Sequence, residues 1–387
     1  MEINLRQIVK TNARQYGMFI AFLVVILFFT VLTGGILLSP LNVTNIILQN
    51  SYILIIAVGM LPLILIGKFD ISVGSVMGFV GGVAAQLIVK SHMPFVPVLL
   101  ISLGIGAIIG LWQGLWVAYI GVPAFVTTLS GMLIFRGLTI VVLDGRSIGP
   151  FSDTFKALSS SYLPDFFGAG RIHLTTLLIG ILVCVFIFFN IFKTRRANQK
   201  YGFDIMPFAF DLAKAIIISA GVLVLTYFFV MYKGLPTVMI LIAALIIIYS
   251  FITGNTVIGR RLYAQGGNEK AAQLSGIRTK LISVVTFVNL GVLAALAGLV
   301  FAARLNAGTP KAGTGVEMDA IAACFVGGAS AAGGEGTIIG AIIGALIMGV
   351  INNGMSIMGI SIDWQQAIKG LILLFAVAFD VYSKSRK

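Results

Sequence analysis

Charge is what this sequence has least of. Only 13 of its 387 residues are acidic and 26 are basic, so charged residues make up 10% of the chain against 59% hydrophobic, at a mean hydropathy of +1.06. A surface facing water carries roughly two to three times that charge density, which excludes a soluble domain. Cysteine and histidine are scarce too. Cys184 and Cys324 lie inside apolar runs without ligand-bearing company, and His92 and His173 stand alone, so neither a disulfide nor a metal site is expected. There is no Gly-x-x-x-x-Gly-Lys-Ser/Thr loop, since Gly67-Lys68 runs on into Phe69 and lacks the upstream glycine. No serine, histidine and acid constellation is found either. The acidic residues are read as lying in loops or near the ends of apolar runs, which argues against an ion-coupled carrier built on a buried carboxylate. The expectation is a protein that makes no covalent change itself, uses no cofactor and binds no nucleic acid. Its formal charge of +13 is scattered in short loops beside apolar runs, which is a topology signal.

What the chain has in abundance is apolar runs of about 20 residues, the length that crosses a bilayer. They recur from Gly17 to Phe379 with short polar interruptions. The pattern predicts an all-α polytopic membrane protein with about 10–12 transmembrane segments. The first run, 16–38, is too long for a signal-peptide core and lacks a cleavage site, so it stays as a span. Arg6, Lys10 and Arg14 put the N-terminal tail, 1–15, in the cytoplasm by the positive-inside rule. Spans at 43–66, 73–92, 95–120 and 123–143 lead to a polar segment, 144–171, outside. Two further spans fall within about 171–233 around a cytoplasmic loop bearing Lys193, Arg195, Arg196, Lys200 and Lys214. A span at 236–251 leads to a polar cytoplasmic loop, 254–280, and one at 281–303 leads away from it. In the last third, 319–326 and 337–350 are short and separated by a glycine-rich stretch, so broken or re-entrant helices are expected there. A final span, 364–381, ends in Lys384, Arg386 and Lys387, which puts the C-terminus in the cytoplasm. Glycine recurs every fourth residue at 74, 78 and 82, at 106, 110 and 114, and at 336, 340 and 344; such stripes are read as helix-packing surfaces.

Three places stand out as candidates for function. In 259–277, Asn268 caps and Gly276 ends a helix of about two turns, Glu269 to Ser275, with Ala271, Ala272 and Leu274 as a shallow apolar face suited to docking another protein. The plainer reading is a basic connector. Arg136 is the sharpest intramembrane charge, either paired structurally or lining a path, and Asn352, Asn353 and Asp70 invite the same two readings. In 144–171, the charges Asp144, Arg146 and Lys156 alternate with Phe151, Phe155, Tyr162, Phe166 and Phe167, as in a transient protein interface or a helix lying on the bilayer.

Six passages together resemble the permease subunits of bacterial ABC importers for monosaccharides: the ribose, xylose, arabinose and galactose group. They are FDISVGSVMGFVGG at 69–82, VPAFVTTLSGMLIFRGL at 122–138, DGRSI at 144–148, GRRLYAQGGNEKAAQLSGI at 259–277, MDAIAACFVGGASAAGGEGTIIGAIIGA at 318–345 and DWQQAIKGLILLFAVAFD at 363–380. The resemblance implies a single transmembrane permease domain over 1–387 in the bacterial inner membrane. It implies a second permease copy, two cytoplasmic ATP-binding subunits that hydrolyse ATP, and a periplasmic sugar-binding protein. On that resemblance Asn268, Glu269, Lys270, Ala271, Ala272, Gln273, Leu274, Ser275 and Gly276 form the coupling helix seated on the ATPase; the charges Asp144, Arg146 and Lys156 of the outer segment are read from their pattern as meeting the binding protein, with contact to the bilayer as the alternative. Two departures stand out. Lys68 occupies a place where the family usually has a small residue, and about 171–233 is inserted ahead of Gly234-Leu235-Pro236-Thr237. The longer form is similar to the xylose-type permeases, which implies D-xylose or another pentose as substrate. The alternative is an ion-coupled secondary transporter of a small polar solute.

Overall fold

The computed structural model describes residues 5–168, 172–203 and 207–385; residues 1–4, Arg171, Arg386 and Lys387, which the sequence reading placed in the tail, the outer segment and the C-terminus, lie outside them. Within a bilayer each backbone N–H and C=O must find a partner in its own segment, so the apolar runs fold as helices. In chain order these are α1 (Leu5–Leu32), α2 (Pro40–Leu65), α3 (Val73–Ala85, prolonged by a π-helical turn Gln86–Lys90) and α4 (Phe95–Leu115, prolonged likewise by Trp116–Ile120). Then come α5 (Ala124–Leu143), the short α6 (Asp153–Ser160), α7 (Leu174–Lys200), α8 (Phe208–Val230) and α9 (Thr237–Asn255). Last are α10 (Val257–Gly267), α11 (Glu269–Leu274), α12 (Thr279–Leu305), α13 (Val316–Val326), α14 (Ile338–Ile357) and α15 (Ile362–Ser385). Among the described residues there is no strand, only single bridges joining Ile148 to Gly308 and Tyr162 to Pro236. Ten helices there are long and apolar enough to cross a membrane, and the stretch Gly17–Leu32 of α1 is a shorter apolar candidate. The protein is an all-α polytopic membrane protein.

An apolar surface all round a helix calls for burial on every side. α2 is the case in point, buried without a break over residues 53–66, with α12, α14, α13 and α9 packed around it. α5, α7, α8, α9 and α15 turn side chains such as Val141, Leu182, Ile217, Ile247 and Leu374 outward, as lipid-facing helices do. α10 and α11 lie at one end of the bundle with Leu65 and the start of α12, and α6 covers the other end, against the ends of α3, α5 and α12. α7 and α8 form an antiparallel pair packed on each other and against α2, with Thr226 seated on Gly180 and Phe192 stacked on Phe208 at 5.6 Å. α7 and α8 cross and return, so α9 starts from the end that α5 reached, where Tyr162 bridges Pro236.

Close approach through glycine holds the central helices. A Cβ added to Gly106 would collide with the carbonyl of Gly291, one on Gly110 with that of Phe287, and one on Gly291 with that of Gly106. Backbone therefore rests on backbone where α4 crosses α12. Similarly Gly340 and Gly344 of α14 lie on Gly327 and Ala323 of α13. Gly336, expected in the same stripe, precedes α14 instead. α14 proves to be a full span of 20 residues, longer than the sequence pattern suggested.

The break is therefore confined to α13. After α12, Asn306 takes a left-handed turn (φ 56) and its side chain accepts a 2.8 Å hydrogen bond from the Phe151 N–H. Residues 307–315 then run back along α3, with Gly308 against Ala85, Ala312 against Gly78 and Gly313 against Gly74. Only then does α13 begin, inside the bundle, and carry the chain to the α11 end.

These contacts yield a direct test. Gly106→Val should destabilise the protein by about 1–3 kcal/mol through overpacking, whereas Gly104→Ala, where nothing lies within 4 Å of the added Cβ, should be neutral or stabilise by up to about 1 kcal/mol. Thermal unfolding of the two variants in detergent checks the difference.

Candidate functional site

The N-terminus of α13 carries two carboxylates buried inside the helix bundle. Glu317 and Asp319 are 5% and 4% exposed: they sit at the end of an apolar run, as the sequence suggested, but that end is buried within the bundle. They lie in the first turn of α13, and the positive end of the helix dipole favours negative charge there. Each also faces a cation from another helix. Glu317 Oε1 stands 3.8 Å from Arg136 in the middle of α5, and Asp319 Oδ2 accepts a 2.9 Å hydrogen bond from Lys369 Nζ of α15. The Glu317 carboxylate occupies the space a Cβ would need at Gly74, so α3 presents glycine to make room for it. Asn352 of α14 donates from Nδ2 to Asp319 Oδ2 at 3.5 Å. Glu317 Oε2, Asp319 Oδ1 and Asn352 Oδ1 are buried and have no partner, at a cost of about 1–3 kcal/mol each. Tyr52 of α2 lies within electrostatic reach of Asp319, and Arg304 at the end of α12 within reach of Tyr52.

Of the four residues proposed from sequence as lining a path, the structure brings Arg136 and Asn352 into this cluster. Asn353 faces another way, into a reciprocal amide pair with Asn42 of α2 at 2.8 and 3.0 Å. Asp70 is 4% exposed and accepts from the Ser72 N–H and hydroxyl at 2.7 Å, and Gln113 of α4 donates in turn to Ser72 Oγ at 2.6 Å. Burial pushes the Asp70 carboxyl up to about 6, against the pull of the two Ser72 hydrogen bonds. Lys68 turns elsewhere, donating to Ser283 Oγ at 2.8 Å. Its burial lowers the ammonium pKa, and Glu269 opposes the shift. Glu317, Asp319 and Lys369 were missed as a site from sequence. Three charged residues spaced through otherwise apolar passages were the available signal.

The α11 end is a second candidate surface. Asn268 is extended (φ −160) and its side chain accepts from the Ala271 N–H at 3.0 Å, so the cap forms, and Gly276 (φ 83) ends the turn as expected. Ser275 closes the helix rather than belonging to it. Ala272 corrects the docking face proposed from sequence: it is 5% exposed, turned inward onto the body of the protein. Lys270, Ala271, Gln273 and Leu274 face outward, with Leu274 at 90% exposure, so any partner meets those residues. Glu269 is tied back by Gln265, whose amide also donates to Ser283 Oγ at 3.1 Å. Beside it the Gly334 N–H donates to the Leu65 carbonyl at 2.8 Å, and Gly266 lies against both residues. Asp380 of α15 accepts from Ser330 Oγ at 3.1 Å, so the glycine-rich stretch after α13 is held from two sides.

The segment between α5 and α7 is a third surface. Asp144 ends α5 in a left-handed conformation (φ 53); it and Arg146 are exposed. Lys156 forms a 2.6 Å ion pair with Asp153 on the outer face of α6. Phe151 and Phe155 are not available for contact with a partner, because α6 buries them against α3, α4 and α12. Phe166 and Phe167 are exposed. Asp165, just before them, has its carboxyl held down at about 2: partial burial pushes it up, but N–H groups of Thr175, Phe167 and Leu174 and the Thr175 hydroxyl outweigh that.

A family described as branched-chain amino acid transport system / permease component matches residues 42–377. The chain is 39% identical to the xylose transport system permease protein of Haemophilus influenzae over 377 residues, 97% of this chain and 98% of that one. It is likewise 39% identical to the protein of the same description from Escherichia coli, over 97% and 93% of the two chains. Identity to the ribose import permease protein of Haemophilus influenzae is 36%, over 89% and 87%. No solved structure matches.

The pair of Lys369 and Asp319 can be tested as a unit. Lys369→Met alone strands a buried carboxylate and should destabilise by about 3–5 kcal/mol, while Asp319→Asn with Lys369→Met should recover much of the loss. A double-mutant cycle on unfolding in detergent checks the coupling; additive losses would mean the two side chains do not act as a pair.

Proposed function

This chain belongs to the family of branched-chain amino acid transport system permease components, and from that premise we propose that it is the membrane-spanning subunit of an ATP-driven monosaccharide importer carrying D-xylose or another pentose. The observation that carries the proposal is similarity to xylose permease proteins along almost the full length of both chains, the α7 and α8 region included. On this reading the protein sits in the bacterial inner membrane as a single permease domain, with the α11 end and both termini in the cytoplasm. It works as a pair of identical copies. Two cytoplasmic ATP-binding subunits hydrolyse ATP, and a periplasmic binding protein delivers the sugar.

The mechanism follows from what each region can do. Arg136, Asn352, Asn353 and Asp70 line or support the path, and Asn268 to Gly276 form the coupling helix. The exposed Lys270, Ala271 and Leu274 rest on an ATP-binding subunit. Its movement reaches α13 because Gly266 and Gly334 are packed together on Leu65. Asp144, Arg146 and Lys156 face the binding protein. The buried carboxylates favour a second reading, an ion-coupled carrier, since such carriers keep acids near broken helices. Their pairing with Arg136 and Lys369 weighs against it, because a carboxylate already matched by a cation attracts a coupling ion less.

Reconstitution separates the two. With ATP-binding subunits and binding protein present, uptake of D-xylose should follow ATP; an ion-coupled carrier would load vesicles on a proton or sodium gradient without them. Leu274→Glu, at an exposed position, should leave thermal unfolding unchanged while weakening association with the ATP-binding subunits by about 2 kcal/mol, roughly 30-fold. Retained co-purification at wild-type strength would remove α11 from the interface.

Topology has its own test. A cysteine replacing the exposed Gln199 should resist a membrane-impermeant thiol reagent in whole cells, and one replacing the exposed Thr154 should react. The reporter belongs on Thr154 because Ser159, one turn along α6, is fully buried. The opposite labelling would invert the proposed orientation.

A further inference from the structure

Asp319 uses one oxygen and leaves the other idle. Oδ2 takes both donors in reach, Lys369 Nζ at 2.9 Å and Asn352 Nδ2 at 3.5 Å, while Oδ1 has no partner although the residue is 4% exposed. Asn352 shows the same asymmetry: its amide nitrogen points at the carboxylate, as charge requires, and its Oδ1 is left buried and unpartnered. Buried acceptors in native proteins are nearly always satisfied, so two on facing helices point to a donor that joins them when the protein works.

The chemistry of that donor is restricted. Glu317 and Asp319 are matched by Arg136 and Lys369, so the formal charges of these four groups cancel and no further cation is demanded. An anion is disfavoured, because the idle atoms of the cluster, Glu317 Oε2 included, are all acceptors. What fits is a neutral hydroxyl, which gives its hydrogen to a carboxylate or amide oxygen and can accept from the Lys369 ammonium with the same oxygen. Two acceptors on two helices suit a solute bearing several hydroxyls.

We infer that Asp319 and Asn352 form a station within the bundle at which a neutral polyhydroxylated solute is held by its hydroxyl groups during passage. This rests on the reading of the chain as a sugar permease and supplies its solute contact. The station lies on α13, α14 and α15, and α13 continues into the glycine-rich stretch that contacts the α11 end, so its two faces can separate when that end moves. A solute carrying a carboxylate would be rejected here.

The test uses the complete transporter, reconstituted with its ATP-binding subunits and binding protein. Asn352→Leu removes the idle amide oxygen without breaking the ion pair, and should lower D-xylose moved per ATP hydrolysed about tenfold. Asn352→Ser, which restores an oxygen, should recover most of it. A second measurement does not depend on turnover: in a background with Cys184→Ser and Cys324→Ser, Ser356→Cys, exposed one turn along α14 from an intact Asn352, should be labelled by a small thiol reagent more slowly with D-xylose present, and at an unchanged rate with valine. An Asn352→Leu protein that unfolds at the wild-type temperature yet keeps the wild-type ratio of sugar to ATP overturns the station. Protection by sodium ion in place of D-xylose overturns it as well. If the wild-type complex shows no ATP-driven uptake of any pentose, the importer reading itself fails, a result separate from either of these.

Discussion

Backbone-to-backbone contact is the constraint from which the rest of this fold follows. Lipid tails are as apolar as leucine, so helices in a bilayer gain little by hiding apolar side chains from each other and depend on close contact instead. Gly106, Gly110 and Gly291 supply it where α4 meets α12; Gly74, Gly78 and Gly313 supply it where the returning segment lies on α3. Without Gly74 there would be no room for the Glu317 carboxylate, and without the Gly78 contact the chain could not run back far enough to start α13 inside the bundle. The glycines thus place a helix N-terminus, with its positive dipole end, in the interior.

That placement explains how the interior carries charge. Carboxylates at the start of α13 are stabilised by the helix end and by Arg136 and Lys369, whereas the same residues elsewhere in an apolar run would be expelled. α13 also has one end among these charges and the other in the glycine-rich stretch tied to Leu65, Gly266 and Asp380. A single short helix therefore links the polar interior to the surface that carries α11. Continuity of packing of this kind is a means by which motion at one end can reach the other, since tightly packed elements shift between discrete arrangements rather than deform.

Several functional expectations read from sequence were altered by burial that no local pattern reveals. Ala272 has the composition of a docking residue, and so do its neighbours, but the direction in which the short α11 faces is set by contacts with α10 and α12. Phe151 and Phe155 looked like exposed anchors because their neighbours are polar; in fact they fill the space between α6 and the helices beneath it. Asn352 and Asn353 are adjacent in sequence and point about 100° apart on the helix, so one meets Asp319 and the other Asn42.

What the sequence determined by itself was whatever depends on local composition: apolar runs of spanning length, the glycine stripes, the cap at Asn268 and the turn at Gly276, and the break in the last third. These follow from the bilayer's demand that each segment satisfy its own backbone, which leaves little for distant residues to decide. Tertiary structure alone decided which charges meet. Arg136, Glu317, Asp319, Asn352 and Lys369 come from α5 and from the three successive helices α13, α14 and α15, and the interior can hold each ion only beside its counter-ion, so their positions have meaning only once all four helices are packed.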